Sequence, residues 1–153
     1  MIVCNVPGRA ALRLEVLLLD ANGTLTDRGQ PIDGVAERVR ALAARAEVRI
    51  LSADTFGTLR DVARLLGARG ERVTTGEAKA AVVAAVGRER CAAIGNGAND
   101  AAMLAAAALG IAVVGPEGAA GAAVRAADVV CTSIVDALDL LLDERALAAT
   151  LRP

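Results

Sequence analysis

The sequence predicts an α/β fold in which a doubly wound parallel sheet forms a single domain. Short apolar runs alternate with amphipathic segments along the chain, a pattern typical of parallel strands connected by helices. The chain has 153 residues and 55% of them are hydrophobic, which suffices for one buried core. Phe56 is the only aromatic residue, so this core must be aliphatic.

An N-terminal β-hairpin is predicted over residues 1–14, because Pro7-Gly8 is a turn signal between two apolar runs. Later elements are recognised from apolar periodicity, from capping residues such as Asp33 and Ser133, and from glycines that follow helices. Strands are predicted at 2–6, 10–14, 16–19, 48–51, 72–74, 91–94, 111–114 and 129–131. Helices are predicted after Asp33, at 55–66, 77–86, 99–108 and 117–126, and from Ser133 onward.

Composition excludes several classes of function. The net charge of −1 gives no electrostatic basis for binding nucleic acid or an anionic membrane. The chain has no histidine, which excludes Ser-His-Asp triads, Cys-His nucleophiles and histidine-bound zinc. Its three cysteines are far apart, as in proteins of a reducing compartment. With no basic-then-apolar leader pattern and no apolar run of membrane-spanning length, we expect a cytoplasmic protein.

Polar residues that could carry chemistry follow the predicted strands. Ligands of such sheets bind beyond the carboxyl ends of the strands, so this edge is where a site is expected. Asp20 follows the first core strand, Ser52 follows the next, and a second acidic loop ends at Asp100. Lys79 is the only lysine and lies near a predicted helix start. A carboxylate nucleophile, a hydroxyl, a lysine and an acidic loop that binds magnesium are what phosphoryl transfer to aspartate requires.

The order of these motifs resembles the haloacid dehalogenase superfamily. The matching residues are Asp20-Ala21-Asn22-Gly23-Thr24, then Ser52, then Lys79, then Gly95-Asn96-Gly97-Ala98-Asn99-Asp100. Each motif alone is weak, whereas four motifs in the right order are specific. The chain looks most similar to the small soluble, P-type-ATPase-like hydrolases of that superfamily.

The resemblance implies a role for each matched residue. Asp20 would be the nucleophile, Asn22 would occupy the general acid/base position, and Lys79 would neutralise the phosphoryl charge. Gly23, Thr24, Ser52 and Ala53 would bind phosphate together with Lys79. The metal would be Mg²⁺, with Asp20, Asn22, Asn96 and Asp100 as its ligands.

Two departures from the family pattern qualify the expected activity. Asn22 stands where phosphatases of the superfamily usually have a second aspartate, and an amide cannot shuttle a proton. Asn96 stands where a metal-binding aspartate is usual. Loss of general acid–base help lowers a rate by roughly 10²–10⁴-fold. We therefore expect a slow phosphohydrolase with weak magnesium binding. The alternatives are a non-catalytic phosphate-binding or regulatory protein, and a phosphotransferase.

Too few residues separate Asp20, Ser52 and Lys79 for a cap domain. Capless members of the superfamily often cover their site by oligomerisation, so a homo-oligomer (dimer or tetramer) acting on a phosphorylated substrate is expected. Four of the candidate site residues also have an interpretation as purely structural residues. Asp20 could be a turn acid, Ser52 a helix cap, Lys79 a surface lysine and Asp100 a first-turn acid.

Overall fold

The computed structural model describes all of residues 1–153 and contains ten strands and seven α-helices. The strands are β1 (Ile2–Cys4), β2 (Leu12–Leu14), β3 (Val16–Asp20), β4 (Thr26–Asp27), β5 (Gln30–Pro31), β6 (Glu47–Ser52), β7 (Arg69–Arg72), β8 (Cys91–Gly95), β9 (Leu109–Val113) and β10 (Val129–Cys131). The helices are α1 (Val35–Ala43), α2 (Leu59–Leu66), α3 (Gly76–Val86), α4 (Ala101–Ala106), α5 (Gly121–Ala126), α6 (Ile134–Leu142) and α7 (Glu144–Leu151). Short 3₁₀ turns precede β8 and α4.

The central sheet has six strands in the order β10-β9-β8-β3-β6-β7, and all of its pairs are parallel. β3 lies inside this sheet, between β8 and β6, and all five of its residues are buried. An uninterrupted apolar strand of this kind requires cover on both faces of the sheet. The structure confirms the predicted α/β class and the parallel sheet.

Successive residues of β3 point to opposite faces and enter separate cores. Leu17 and Leu19 join a cluster with residues of α1, α2, α6, α7 and the β1–β2 hairpin. Val16 and Leu18 join a second cluster with residues of α3, α4 and α5. Each buried leucine contributes roughly 1.5–3 kcal/mol relative to an exposed one. The two cores hold β3 rigidly, and with it the position of Asp20 at its end.

Several predicted boundaries differ from the structure. Asp33 does not cap α1: the N-cap is Gly34, with a φ of +83° and no side-chain bond. The second predicted helix begins at Leu59 rather than near residue 55, because the Asp54 carboxylate accepts a hydrogen bond from the Leu59 amide there. The predicted strand 72–74 is displaced to Arg69–Arg72, where it pairs with β6 at the sheet edge.

Other elements were absent from the sequence prediction. Strands β4 and β5, of two residues each, pair as an antiparallel hairpin. The last helical segment is divided into α6 and α7, because the side chain of Asp143 caps the start of α7. The helix predicted over 117–126 begins only at Gly121. Between Asp20 and the end of β6 at Ser52, the chain holds only β4, β5, α1 and β6 itself, which agrees with a capless fold. None of the helices combines the length and apolar character needed to span a membrane.

Candidate active site

Three neighbouring strands bring the predicted site residues to one edge of the sheet. Asp20 ends β3, Ser52 ends β6, and Asn96 directly follows β8. Since β8, β3 and β6 are adjacent and parallel, their carboxyl ends meet there. A pocket of about 190 Å³ opens at this edge, with Ala53 as its only hydrophobic lining residue. It is lined by Asp20, Asn22, Ser52, Ala53, Thr55, Asn96, Gly97, Asn99 and Glu117.

Lys79 lies beneath this pocket and joins two carboxylates. Its side chain extends from the first turn of α3 and is fully buried. The Nζ atom lies 2.6 Å from Oδ1 of Asp20 and 2.7 Å from Oδ1 of Asp100. A lysine without solvent contact requires such partners, because an unpaired buried charge is strongly unfavourable. The interpretation of Lys79 as an ordinary surface lysine is therefore wrong.

Asp100 is committed to contacts within the protein. Its Oδ1 accepts from Lys79, while Oδ2 accepts from the backbone amides of Asn96 (3.0 Å) and Gly97 (2.8 Å). Asp100 is fully buried and does not line the pocket. In this arrangement its carboxylate holds Lys79 in place and fixes the loop that carries Asn96. Its role as a metal ligand stays a prediction.

Thr24 connects the two loops of the site. Its Oγ1 lies 3.1 Å from Oδ2 of Asp20 and 3.1 Å from Oδ1 of Asn96. A hydroxyl carries one proton, so it can donate fully to only one of these acceptors at a time. Protonation of Asp20 would resolve this conflict, because the acid could then donate to Thr24 while Thr24 donates to Asn96.

Gly23 and Thr24, which were predicted to bind phosphate, lie outside the lining of the pocket. Thr24 is fully buried. Their backbone amides donate within the loop, Gly23 to Thr26 (2.9 Å) and Thr24 to Ala21 (3.1 Å). These contacts fix the loop that positions Asp20, and phosphate binding by Gly23 and Thr24 stays a prediction.

Ser52 and Ala53 do line the pocket, beside Asp20. Ser52 is almost fully buried, and its Oγ accepts a hydrogen bond from the Asp54 amide at 3.0 Å. Because that bond uses only one lone pair, the hydroxyl proton is free to be donated to an anion in the pocket. Asp54 itself has a φ of +60°, so the backbone turns sharply directly after the lining residues.

Sequence reasoning missed Thr55 and Glu117 as lining residues, and it placed Gly97 and Asn99 in the acidic loop without giving them a role. Thr55 and Glu117 were assigned to helices that in fact begin later, at Leu59 and Gly121. The dipeptide Gly115-Pro116 was the available signal for Glu117, because it marks a turn where a helix was predicted.

Burial, and after it the nearby negative charge of Asp100, raise the pKa of Asp20 to about 6, against the opposing effects of Lys79 and Thr24. Burial alone would lower the pKa of Lys79, but the charges of Asp20 and Asp100 outweigh it, so the pKa is raised. Lys79 therefore stays protonated at neutral pH. Asp20 is the group in the site that changes charge near physiological pH.

This shift predicts how the stability of the metal-free protein depends on pH. Between about pH 4 and pH 6 the folded state holds a proton on Asp20 that the unfolded chain has released, so stability falls as pH rises. A shift of about two pKa units corresponds to roughly 3 kcal/mol. We expect the free energy of unfolding of the wild type, relative to Asp20→Asn, to fall by about this amount between pH 4 and pH 7. Urea denaturation of both proteins measures it, and a difference that does not change with pH would contradict the assignment.

The fold and the site together define a parallel α/β protein with a buried Asp-Lys-Asp cluster at its strand ends. Residues 8–108, more than half of the chain, match the haloacid dehalogenase-like hydrolase family, and the protein belongs to that family. The predicted superfamily and the prediction of a hydrolase are both confirmed by this match. The P-type-ATPase-like subgroup stays a prediction.

One curated relative matches part of the chain. An uncharacterized protein of Methanocaldococcus jannaschii is 53% identical over 60 residues, a match that covers 39% of this chain and 64% of that protein. The chain thus spans somewhat less than two-thirds of this relative.

Solved structures show a similar fold. The cobalt-bound deoxy-D-mannose-octulosonate 8-phosphate phosphatase of Haemophilus influenzae is 19% identical with a TM-score of 0.71. The match covers 92% of this chain and 94% of the phosphatase chain. The 3-deoxy-D-manno-octulosonate 8-phosphate phosphatase of Moraxella catarrhalis, solved in complex with magnesium, phosphate and a KDO molecule, is 18% identical with a TM-score of 0.66, and the match covers 91% of this chain and 94% of that one. At these identities the likeness concerns the fold.

Proposed function

We propose that the protein is a slow, magnesium-dependent phosphohydrolase that works through an aspartyl-phosphate on Asp20. The observation that carries this proposal is the buried pair of Lys79 with Asp20 at the floor of a polar pocket. A carboxylate held beside a fixed positive charge suits attack on a phosphoryl group, whose oxygens that charge then stabilises. The magnesium-bound and cobalt-bound states of the two phosphatases of similar fold are consistent with a divalent metal.

The residues of the pocket fit a hard cation. Oxygen-bearing side chains of Asp20, Asn22 and Asn96 line it, and carboxylates, carbonyls and amides are the ligands that Mg²⁺ prefers. Asp20 would hold the metal through its carboxylate, Asn22 through its backbone carbonyl and Asn96 through its side-chain oxygen. When bound, the metal would neutralise negative charge on the phosphoryl oxygens and bring them close to the attacking carboxylate.

The hydrogen bonds around Asp20 indicate which of its oxygens reacts. Oδ1 is held by Lys79 at 2.6 Å, whereas Oδ2 shares the single proton of Thr24 with Asn96. Oδ2 is the less engaged oxygen and is the nucleophile in this proposal. Its bond to phosphorus forms as the bond from phosphorus to the ester oxygen breaks, and the ester oxygen leaves as an alcohol by taking a proton from water, since Asn22 cannot donate one. Ser52 donates a hydrogen bond from its hydroxyl to a phosphoryl oxygen. Lys79, bound to Oδ1 of Asp20, compensates negative charge on the carboxylate side of the reacting phosphorus.

Hydrolysis of the resulting acyl phosphate completes the reaction. A water must attack phosphorus and lose a proton, after which inorganic phosphate leaves and the Asp20 carboxylate is restored. Asn22 lines the pocket at the position of the usual acid/base but cannot accept that proton. We therefore expect the aspartyl-phosphate to form faster than it is hydrolysed.

A phosphotransferase is the second candidate function, favoured by the same asparagine. A long-lived aspartyl-phosphate could pass its phosphoryl group to an acceptor other than water. The test is to incubate the protein with Mg²⁺ and a panel of phosphomonoesters, then to measure released phosphate and acid-trapped phosphoprotein. Phosphate release supports the hydrolase, and trapped phosphoprotein without release supports the transferase. If neither product is detected, both candidate functions are refuted.

The predicted homo-oligomer and cytoplasmic location are also proposals at this stage.

Restoring the acid at position 22 provides a direct prediction. Because proton transfer contributes roughly 10²–10⁴-fold to such reactions, we expect Asn22→Asp to raise the rate of phosphate release within this range. Asn5→Asp is the matched control, since Asn5 is exposed and does not line the pocket. Steady-state kinetics measures both variants. An active wild type whose rate is unchanged by Asn22→Asp would show that proton transfer at residue 22 is not limiting.

A further inference from the structure

A tight turn after β9 approaches the pocket from the side opposite Ser52. In it, the amide of Gly118 donates to the carbonyl of Gly115 at 2.9 Å, and Pro116 and Glu117 occupy the two middle positions. Gly118 has a φ of +72°, a conformation that other residues adopt only under strain. The turn therefore has a defined shape, and Glu117 lies at its tip.

The turn is attached to both loops of the site. The side-chain amide of Asn96 donates to the carbonyl of Gly118 at 3.1 Å, and the Ala120 amide donates to the carbonyl of Asn96 at 2.8 Å. A Cβ atom on Gly115 would lie 2.4 Å from the carbonyl oxygen of Gly23, so the two backbones are in close contact. These contacts fix the turn relative to the Asp20 loop as well as to Asn96.

The side chain of Glu117 extends back into the pocket. A Cβ atom built on Gly23 would lie 2.6 Å from Oε2 of Glu117 and 2.7 Å from Nδ2 of Asn96, so both groups approach one point above Gly23. Glu117 lines the pocket together with Asp20, Asn22 and Asn96. It forms no ion pair and no side-chain hydrogen bond in the structure, although eight other acidic residues have arginine or lysine partners. Its carboxylate is therefore uncommitted.

The site otherwise has few charges to offer a cation. Asn22 and Asn96 are neutral, and both oxygens of Asp100 are already bonded to Lys79 and to backbone amides. Asp20 is then the only other carboxylate that lines the pocket, whereas a protein site for Mg²⁺ commonly has one or two. We propose that Glu117 supplies the second carboxylate for the divalent metal and compensates for the asparagines at positions 22 and 96. This inference rests on the proposed function, because it concerns the metal of the same pocket.

Metal titration by calorimetry tests this inference without reference to activity. We expect Glu117→Gln to weaken Mg²⁺ binding roughly tenfold or more, as happens when a group that supports a metal is lost. Glu89→Gln is the matched control, because Glu89 is exposed and borders a different cavity, so its removal changes the net charge equally. We expect the control to bind Mg²⁺ within about twofold of the wild type. Glu117→Asp keeps the charge and should recover part of the loss. The unfolding temperature of each metal-free variant verifies that it is folded.

The outcomes separate this inference from the proposed function. If Asp20→Asn abolishes Mg²⁺ binding while Glu117→Gln leaves it unchanged, the metal site stands and the role of Glu117 is refuted. Equal weakening in Glu117→Gln and Glu89→Gln would refute it as well, because that result indicates a general effect of net charge. If the wild type shows no saturable binding of Mg²⁺, both the inference and the metal dependence of the proposed function are wrong.

Discussion

Replacing Asp20 with asparagine is expected to reduce phosphate release by about 10⁴-fold or more, since loss of the nucleophile in a covalent mechanism removes most of the catalysis. The amide has nearly the same shape as the carboxylate, but it carries no charge and does not attack phosphorus. No acid-stable phosphoprotein should form either. Steady-state kinetics and trapping with a radiolabelled phosphomonoester measure the two effects.

Asp33→Asn is a suitable control for that experiment. Asp33 lies in the same segment of the chain, is exposed and has no side-chain partner in the structure, so its loss should leave the activity unchanged. If Asp20→Asn retained wild-type turnover, the reaction would not pass through Asp20. A phosphoprotein that persisted in this variant would place the acceptor at another residue.

The parts of the fold that the sequence predicted correctly are those with a strong local signal. The first four residues of β3 form a uniformly apolar run, and only a strand covered on both faces buries every one of these side chains. Turns and caps were less predictable. Asp33 and Gly34 are both acceptable before a helix, and the choice between them depends on how the preceding hairpin leads into α1. The two-residue strands β4 and β5 are too short for periodicity to detect.

Sequence order also predicted which residues converge, because the ends of adjacent parallel strands must lie close together. Asp20 and Ser52 end β3 and β6, and Asn96 follows β8, so these three residues converge for this reason. The order of the strands does not fix the direction of a side chain. Asp100 was expected to face a metal, yet the amides of Asn96 and Gly97 and the ammonium group of Lys79 occupy its oxygens.

Glu117 could not be found from strand order alone. Its place at the pocket depends on a turn that occupies the start of a predicted helix, and on contacts of that turn with Gly23 and Asn96. Such contacts join residues far apart in the chain. The asparagines at positions 22 and 96 are visible in the sequence as missing charges. For Glu117 the sequence marks only the turn at Gly115-Pro116, and the direction of its side chain toward the pocket follows from the three-dimensional contacts.

Substitution of Lys79 by methionine is expected to destabilise the metal-free protein by about 3–5 kcal/mol at pH 7, the range found when one partner of a buried ion pair is removed. Lys79 is fully buried, and its ammonium group is the only positive charge paired with Asp20 and Asp100. Methionine keeps much of the apolar stem, so the loss should reflect the two uncompensated carboxylates rather than a cavity.

The pH dependence of this loss identifies its cause. Lys79 lowers the pKa of Asp20, so without Lys79 this pKa rises above about 6 and Asp20 is protonated in the folded variant at pH 5. Urea denaturation should therefore show a smaller difference between wild type and Lys79→Met at pH 5 than at pH 7. Adding Asp20→Asn to Lys79→Met should recover part of the stability at pH 7, because it removes one of the unpaired charges. A loss that is the same at both pH values and in both backgrounds would indicate that the packing of the lysine stem, and not its charge, holds this part of the structure together.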